Sequence, residues 1–308
     1  MSSSYLSSDF NFMPNEEPAA TFVKRFKDYW TLRTRVCPFV IYSPEFPRNK
    51  TAAVLILLFI RDGHLRVLLT TRSQHLRSHP GDVALPGGKT DPMDASPVAT
   101  AVRTQTTRYK YNNVIAALSK LREANEEIGL PVPSSAVHVL GVLTPFVSYY
   151  KLAVTPVIAF LSDLSLLEHL KPNPEEVDEI FDHPLEAILS PELAASLAPK
   201  PGRLLSERGS EKWRYEPEYH VRQIIYQGQY RMHKFRSVTT PISGLTSDIL
   251  VAAKIAYVRN TDYERYAENH VTPDIALGWA MEQHAEAARA TSQPQASSAE
   301  SHIEGLAD

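Results

Sequence analysis

Leu121-Arg122-Glu123-Ala124-Asn125-Glu126-Glu127-Ile128-Gly129-Leu130 is the stretch on which the reading of this chain turns. Wound as a helix, it sets Glu123, Glu126 and Glu127 at i, i+3 and i+4, so three carboxylates share one face while Leu121, Ala124 and Ile128 face inward. Three neighbouring carboxylates repel one another. They coexist when solvated, when paired, or when they hold a hard divalent cation such as Mg²⁺ or Mn²⁺. Arg122, four residues before Glu126, is placed to pair with it. Gly129-Leu130-Pro131 stops the helix. An isolated Arg-Glu-x-x-Glu-Glu is as a rule a solvated acidic face, so the surrounding residues decide.

Upstream lies Pro86-Gly87-Gly88-Lys89-Thr90-Asp91-Pro92-Met93-Asp94. Gly87 and Gly88 let backbone approach phosphate oxygens and turn sharply, and Lys89 adds a positive point charge. Before it comes Leu68-Leu69-Thr70-Thr71-Arg72-Ser73-Gln74-His75-Leu76-Arg77-Ser78-His79-Pro80-Gly81-Asp82-Val83. Arg72 and Arg77 carry guanidinium forks suited to phosphate. His75 and His79 read as loop scaffolding rather than ligands.

The carboxylate segment resembles the second half of the Nudix box, and Pro86 to Asp94 resembles its first half. The stretch from Leu68 into Pro86-Gly87-Gly88 is similar to the extra motif of the coenzyme A diphosphatases within the Nudix hydrolase family. Looser echoes are Tyr149 to Phe160 and Asn173 to Phe181, so the resemblance covers roughly residues 50 to 260. It implies an α/β fold, a Nudix α/β/α sandwich around a mixed β-sheet. It also implies Glu123, Glu126 and Glu127 as ligands of Mg²⁺ or Mn²⁺, with Arg122 beside them and one glutamate as general base. Arg72, Arg77, Gly87, Gly88 and Lys89 become substrate-binding residues. The implied reaction is hydrolysis of the diphosphate of coenzyme A, or of an acylated or oxidised form, to 4′-phosphopantetheine and adenosine 3′,5′-bisphosphate. Glu175, Glu176 and Glu179 are read as solvated charges at a helix start, with a further carboxylate for the site as the alternative.

This chain departs from the family pattern in one place. Between Asp94 and Arg122 stand 27 residues, where the family has one short helix. Removing Val102 to Lys120 restores the spacing, with Ser96 as N-cap, Pro97 as first helical residue, and Val98, Ala101, Leu121, Ala124 and Ile128 as one apolar stripe. With those 19 residues present, a continuous helix would carry the glutamates roughly 28 Å along and about 100° around its axis. The intact chain therefore has to loop the segment out or start a fresh helix near Asn112 or Asn113, and a fresh helix is expected. Nineteen codons make 57 nucleotides; Val-Arg can be encoded GTACGT, and a Lys codon can end in AG. The expectation is a translated, unspliced intron, with a genuine loop as the alternative.

Outward from the motifs, Ala52 to Ile60, Asp62-Gly63, and Leu65 to Thr71 give the hairpin signal of the chain. The run to Gly88 is a loop with one short strand over Asp82 to Leu85. Strands are expected at Val137 to Leu143 and Leu152 to Phe160. Helices are expected at Phe22 to Trp30, Glu175 to Ile188 and Thr246 to Tyr257. The domain reading is a disordered tail over 1–20, a lead-in over 21–47, the hydrolase domain over 48–260 with insertions at 102–120 and about 199–217, a helical segment over 261–286, and a disordered tail over 287–308.

The 308 residues are 43% hydrophobic with a formal net charge of −3. That supports one ordinary domain and gives no general attraction to nucleic acid or anionic membrane. A lone Cys37 gives no disulfide or cysteine-rich cluster, and the apolar run Ala52 to Ile60 is too short to span a bilayer. No secretory signal and no terminal Ser-Lys-Leu are read, and the compartment stays open. The expected partner is a small molecule, coenzyme A or another nucleoside diphosphate derivative. Neither nucleic acid nor membrane is expected, and the oligomeric state is not legible. Two rival readings stay open: a nucleoside triphosphate diphosphatase, which needs the same metal helix but not Arg72 and Arg77, and a catalytically silent protein that binds nucleotide or acyl-coenzyme A.

Overall fold

The computed structural model describes residues 13–14, 17, 19–33, 48–89, 124–131, 134–188, 231–235, 237–257 and 270–292. The framework starts from the expected hairpin. β1 (Thr51–Arg61) and β2 (His64–Arg72) pair antiparallel from Leu58↔Val67 to Arg61↔His64. Asp62 (φ 52°) and Gly63 (φ 74°) both sit in the left-handed region that a two-residue turn between right-twisted strands requires.

β1 is buried on both faces, as a central strand must be. Leu55, Leu57 and Phe59 enter one core and Ala52, Ile56 and Leu58 the other. Its parallel neighbour β7 (Ala153–Leu161) is buried at every position and pairs with it from Thr51↔Ala153 to Leu58↔Phe160. That near-continuous apolar run marks a strand covered on both sides. β5 (Val137–Val142) and β6 (Phe146–Val147) add antiparallel to the far edge of β7. β3 (Val83–Ala84) pairs with β2, and β4 (Gly87–Lys89) pairs with β1.

Helices cover both faces of this eight-stranded mixed sheet. On one side lie α1 (Ala19–Arg33), through Phe22, Val23 and Phe26, and a later helix, Gly244–Tyr257, through Ile249, Leu250 and Ala253. On the other lies helical backbone at 124–128, here α2, through Ala124 and Ile128. Gly244–Tyr257 is α3, and Pro273–Ser292 is α4. The α/β/α arrangement expected from the resemblance is the one observed. Helical order in α4 runs past the Ala287 boundary read from the sequence. Among the described residues, no helix is long and apolar enough to cross a membrane.

One element differs from expectation. Glu175 to Ile188 is not a helix: it is strand β8 (Val177–Pro184) followed by a short 3-10 turn, Leu185–Ile188. The outer edge of β2 would otherwise leave its N–H and C=O groups unpaired, and β8 pairs along it from Arg66↔Pro184 to Arg72↔Val177. Asp182 in β8 is bonded by both Arg61 and Arg66. A small second sheet pairs β9 (Lys234–Phe235) with β10 (Ile242–Ser243). The expected insertion at 199–217, the segment Val102 to Lys120 and the fresh helix near Asn112 lie outside the described residues.

Candidate active site

One edge of β1 changes partner halfway. Leu58 to Arg61 pair with β2, while Ala52, Ala53 and Val54 pair with Lys89, Gly88 and Gly87 of β4, and Leu55 N donates to Pro86 O at 2.8 Å. Between these two partners the chain leaves the sheet after Arg72 and rejoins it at β3. Gly87 has φ 153°, and a Cβ there would stand 2.4 Å from Ala53 O and 2.7 Å from Val54 Cα. Only glycine lets β4 lie this close.

α2 is set by its apolar side. Ala124 and Ile128 are fully buried with Leu55, Leu57 and Phe59, which turns Glu127 towards β4. The Gly87 N–H donates to Glu127 Oε2 at 2.9 Å, and Glu127 is only 8% exposed. Glu126, one position earlier, is exposed. Gly129 (φ 71°) closes the helix, its N–H donating to Asn125 O at 2.9 Å. Asn173 N donates to Glu127 O at 2.8 Å and Lys171 N to Ile128 O at 3.0 Å, satisfying carbonyls that a helix end leaves open. The structure thus joins Gly87 to Glu127, with Gly88 and Lys89 alongside on β4. Arg122 and Glu123 lie outside the described residues. Among the described residues, no group of three His, Cys, Asp or Glu side chains is placed to hold a metal ion.

The arginine loop leaves from the end of β2. Arg72 N donates to Asp82 O (2.9 Å) and Gly81 N returns to Arg72 O (3.0 Å), closing the loop on itself. Arg72 Nη2 donates to Ser78 O at 3.3 Å, whereas its Nε is buried without a hydrogen-bond partner. A desolvated guanidinium N–H is costly to leave unmatched, which makes it a donor waiting for an acceptor. Arg77 and His75 are exposed on the loop surface. His79 Nδ1 lies 3.0 Å from Asp82 Oδ2, the bracing role expected of it.

Two clasps hold this loop, and neither was read from the sequence. Segment 173–178 supplies the first: Ser73 N donates to Glu176 O (2.9 Å), Ser73 Oγ to Pro174 O (3.2 Å) and Gln74 N to Asp178 Oδ2 (3.1 Å). Glu175, Glu176 and Glu179 are exposed as expected, but Glu175 and Glu176 stand at the approach to a strand and Glu179 within it, rather than at a helix start. Ser237 to Thr240 form the second: Thr240 Oγ1 donates to Gly81 O (2.8 Å), Thr71 Oγ1 to Thr239 Oγ1 (3.2 Å) and Ser237 Oγ to Thr240 O (2.6 Å). The only signal for it was a Ser-Val-Thr-Thr run.

Among the described residues, the largest pKa shifts lie elsewhere. Burial, then the Arg66 charge, holds His183 neutral and pushes it down to about 3. Burial lowers Lys254 to about 8 against the opposing pull of Glu186.

No family model matches the chain. It is similar to Nudix hydrolase 15, mitochondrial, of Arabidopsis thaliana, 37% identical over 219 residues, covering 70% of this chain and 62% of that protein. It is similar to the uncharacterized Nudix hydrolase NudL of Yersinia enterocolitica, 37% identical over 158 residues, 50% of this chain and 69% of that protein. It is also similar to the human mitochondrial coenzyme A diphosphatase NUDT8, 41% identical over 143 residues, 46% of this chain and 51% of that protein. The match thus spans about three fifths of the length of the Arabidopsis relative and about half of the human one.

Proposed function

The chain belongs to the Nudix hydrolase family, and from that premise we propose that it hydrolyses the diphosphate linkage of coenzyme A or of a coenzyme A derivative. The observation that carries the reading is the bond from Gly87 N to Glu127 Oε2. It ties a glycine strand suited to phosphate to the carboxylate helix, although 40 residues separate the two in sequence. Arg72, with its buried and unmatched Nε, adds a phosphate donor from the motif that resembles the coenzyme A diphosphatases. The similarity to human NUDT8, named as a coenzyme A diphosphatase, favours the same substrate class.

The donor set fits a hard divalent cation. Glu127, held by Gly87, and its exposed neighbour Glu126 offer carboxylate oxygens, and Glu123 stands four residues before Glu127. Glu123, Glu126 and Glu127 would hold Mg²⁺ or Mn²⁺, whose chemistry is activation of water and neutralisation of charge at the bridging oxygen. Gly87 fixes the orientation of Glu127, Arg72 and Arg77 bind substrate oxygens, and Lys89 adds charge at the strand end. One of the glutamates receives the proton of the attacking water.

Val102 to Lys120 belongs to the same proposal as an unspliced intron. The deciding experiment measures coenzyme A hydrolysis with Mg²⁺ or Mn²⁺, products identified by mass, for the intact chain beside the form lacking Val102 to Lys120. Production of 4′-phosphopantetheine and adenosine 3′,5′-bisphosphate, abolished by Glu126→Gln, is the expected result. Turnover of an oxidised deoxyguanosine triphosphate with none of coenzyme A would replace the substrate, and ligand binding without turnover in both forms would replace the reaction. Transcripts that all encode Val102 to Lys120 would remove the intron.

A further inference from the structure

The turn between β6 and β7 carries two large exposed aromatic side chains. Ser148 N donates to Leu152 O (2.9 Å) and Lys151 N to Ser148 O (2.8 Å), with Lys151 at φ 59°. This tight turn presents Tyr149 at 68% exposure and Tyr150 at 58%. Their rings meet edge to face at 5.5 Å, and Tyr150 meets the His79 ring, also edge to face, at 6.1 Å. His79 reaches it from the arginine loop, at φ 57° and braced by Asp82. Three rings thus form one exposed edge that bridges the arginine loop and the β6–β7 turn.

The sheet register sets this edge beside the phosphate strand. Lys89 pairs with Ala52, and the preceding residue of β1, Thr51, pairs with Ala153 at the start of β7. Ala153, where the turn joins β7, and Lys89 are therefore two strand spacings apart, about 10 Å, with the turn just beyond, on the side from which His79 of the arginine loop meets Tyr150. Two further cations converge there. Lys50 directly precedes Thr51, and Lys151 donates from Nζ to Gln283 Oε1 of α4 at 2.8 Å. His284, the next residue of α4, is lowered by burial, raised back by a hydrogen bond with the Lys151 backbone, and lowered again by the charges of Lys50 and Lys151.

We propose that the rings of His79, Tyr149 and Tyr150 stack the base of a nucleotide, and that Lys50 and Lys151 bind a phosphate on its ribose, distinct from the diphosphate held at β4. Bases stack on exposed aromatic faces without needing a sequence of specific donors, and ammonium groups hold phosphate as point charges. A nucleoside carrying both a 5′-diphosphate and a ribose phosphate fills all the parts at once. This inference rests on the diphosphate-hydrolase reading and specifies the ligand of the same site.

The test titrates adenosine 3′,5′-bisphosphate and adenosine 5′-monophosphate into the full chain by calorimetry, with chelator present. The bisphosphate should bind about tenfold more tightly, the effect of one charge-assisted contact. Lys151→Gln, and separately Lys50→Gln, should reduce the bisphosphate to the level of the monophosphate and leave the monophosphate unchanged. Tyr150→Ala should weaken both by roughly five- to a hundredfold, with Tyr150→Phe near wild type. Equal affinity of the wild type for the two nucleotides, or no loss with Tyr150→Ala, overturns the proposal. The two readings fail separately. Bisphosphate binding with this dependence but no coenzyme A turnover keeps the subsite and removes the reaction. Coenzyme A turnover whose KM ignores Lys151→Gln and Tyr150→Ala keeps the reaction and removes the subsite.

Discussion

Gly87→Ala is the perturbation that tests the assembly of the site most directly. The added methyl would lie 2.4 Å from Ala53 O and 2.7 Å from Val54 Cα, both backbone atoms of the central strand. Ordinary contact needs about 1 Å more, so β4 must move outward by roughly that amount. A shift of that size takes the 2.9 Å bond to Glu127 Oε2 beyond hydrogen-bonding range. The overpacking costs about 1–3 kcal/mol and the lost bond to an ionised group about 1.5–3 kcal/mol. A destabilisation of about 2.5–6 kcal/mol follows, readable as a fall in urea midpoint. Misplacing a catalytic group by 1 Å costs on the order of 100-fold in rate, measured as initial rates of coenzyme A hydrolysis at saturating Mg²⁺. Glu127→Gln separates structure from chemistry, because it keeps an acceptor for Gly87 N and removes the charge. It should cost less than about 1 kcal/mol of stability and at least about 100-fold in turnover. Wild-type stability and turnover in Gly87→Ala would show that the contact holds nothing, and full activity in Glu127→Gln would leave Glu127 a purely structural acceptor.

Arg72→Lys removes the buried Nε and the fork, so KM for coenzyme A should rise about tenfold with kcat within about twofold; an unchanged KM in steady-state kinetics would take Arg72 out of the binding site. Thr240→Val deletes the bond to Gly81 O, and should lower stability by about 1 kcal/mol while raising KM; a melting curve and KM both like wild type would remove the hydroxyl clasp from the binding loop. His183, pushed down to about 3 by burial, is neutral in the fold, while the unfolded chain takes up its proton below about 6.5. Its contribution is therefore complete above pH 6.5 and falls by about 1.4 kcal/mol per unit as pH drops towards 3. Urea melts from pH 7 to 4 should show that slope flattened in His183→Leu, and an identical slope in the two proteins would contradict it.

What could be read from the residues was whatever local chemistry decides. Asp62-Gly63 demanded the hairpin, Gly129 ended α2, and the apolar runs at Ala52 to Ile60 and Leu152 to Phe160 became the central parallel pair. The inward faces of Ala124 and Ile128 were visible from helical spacing, and they turn Glu127 to the site. β8 was misread because Val177, Ile180, Phe181 and Pro184 fall at i, i+3, i+4 and i+7, a helical period. The edge of β2 settles the choice, though Pro184 inside the range already argued against a helix. The contact of Gly87 with Glu127 and the clasp of Ser237 to Thr240 on the arginine loop depend on distant segments meeting, which no spacing rule encodes. Arg122 and Glu123, read from the motif, lie outside the described residues.

The parallel pairing of β1 with β7 also bears on how the chain is made. Thr51 leaves the ribosome 102 residues before its partner Ala153. At ordinary elongation rates that is about 5–20 s; for most of it Leu55, Leu57 and Phe59 have neither β7 nor α2 to cover them. β2 waits longer still for β8, whose pairing begins near Val177. A nascent hairpin with two open edges is the species that chaperones bind and that aggregates when they do not. The 19 residues of Val102 to Lys120 fall inside that interval, and they make up about a fifth of it.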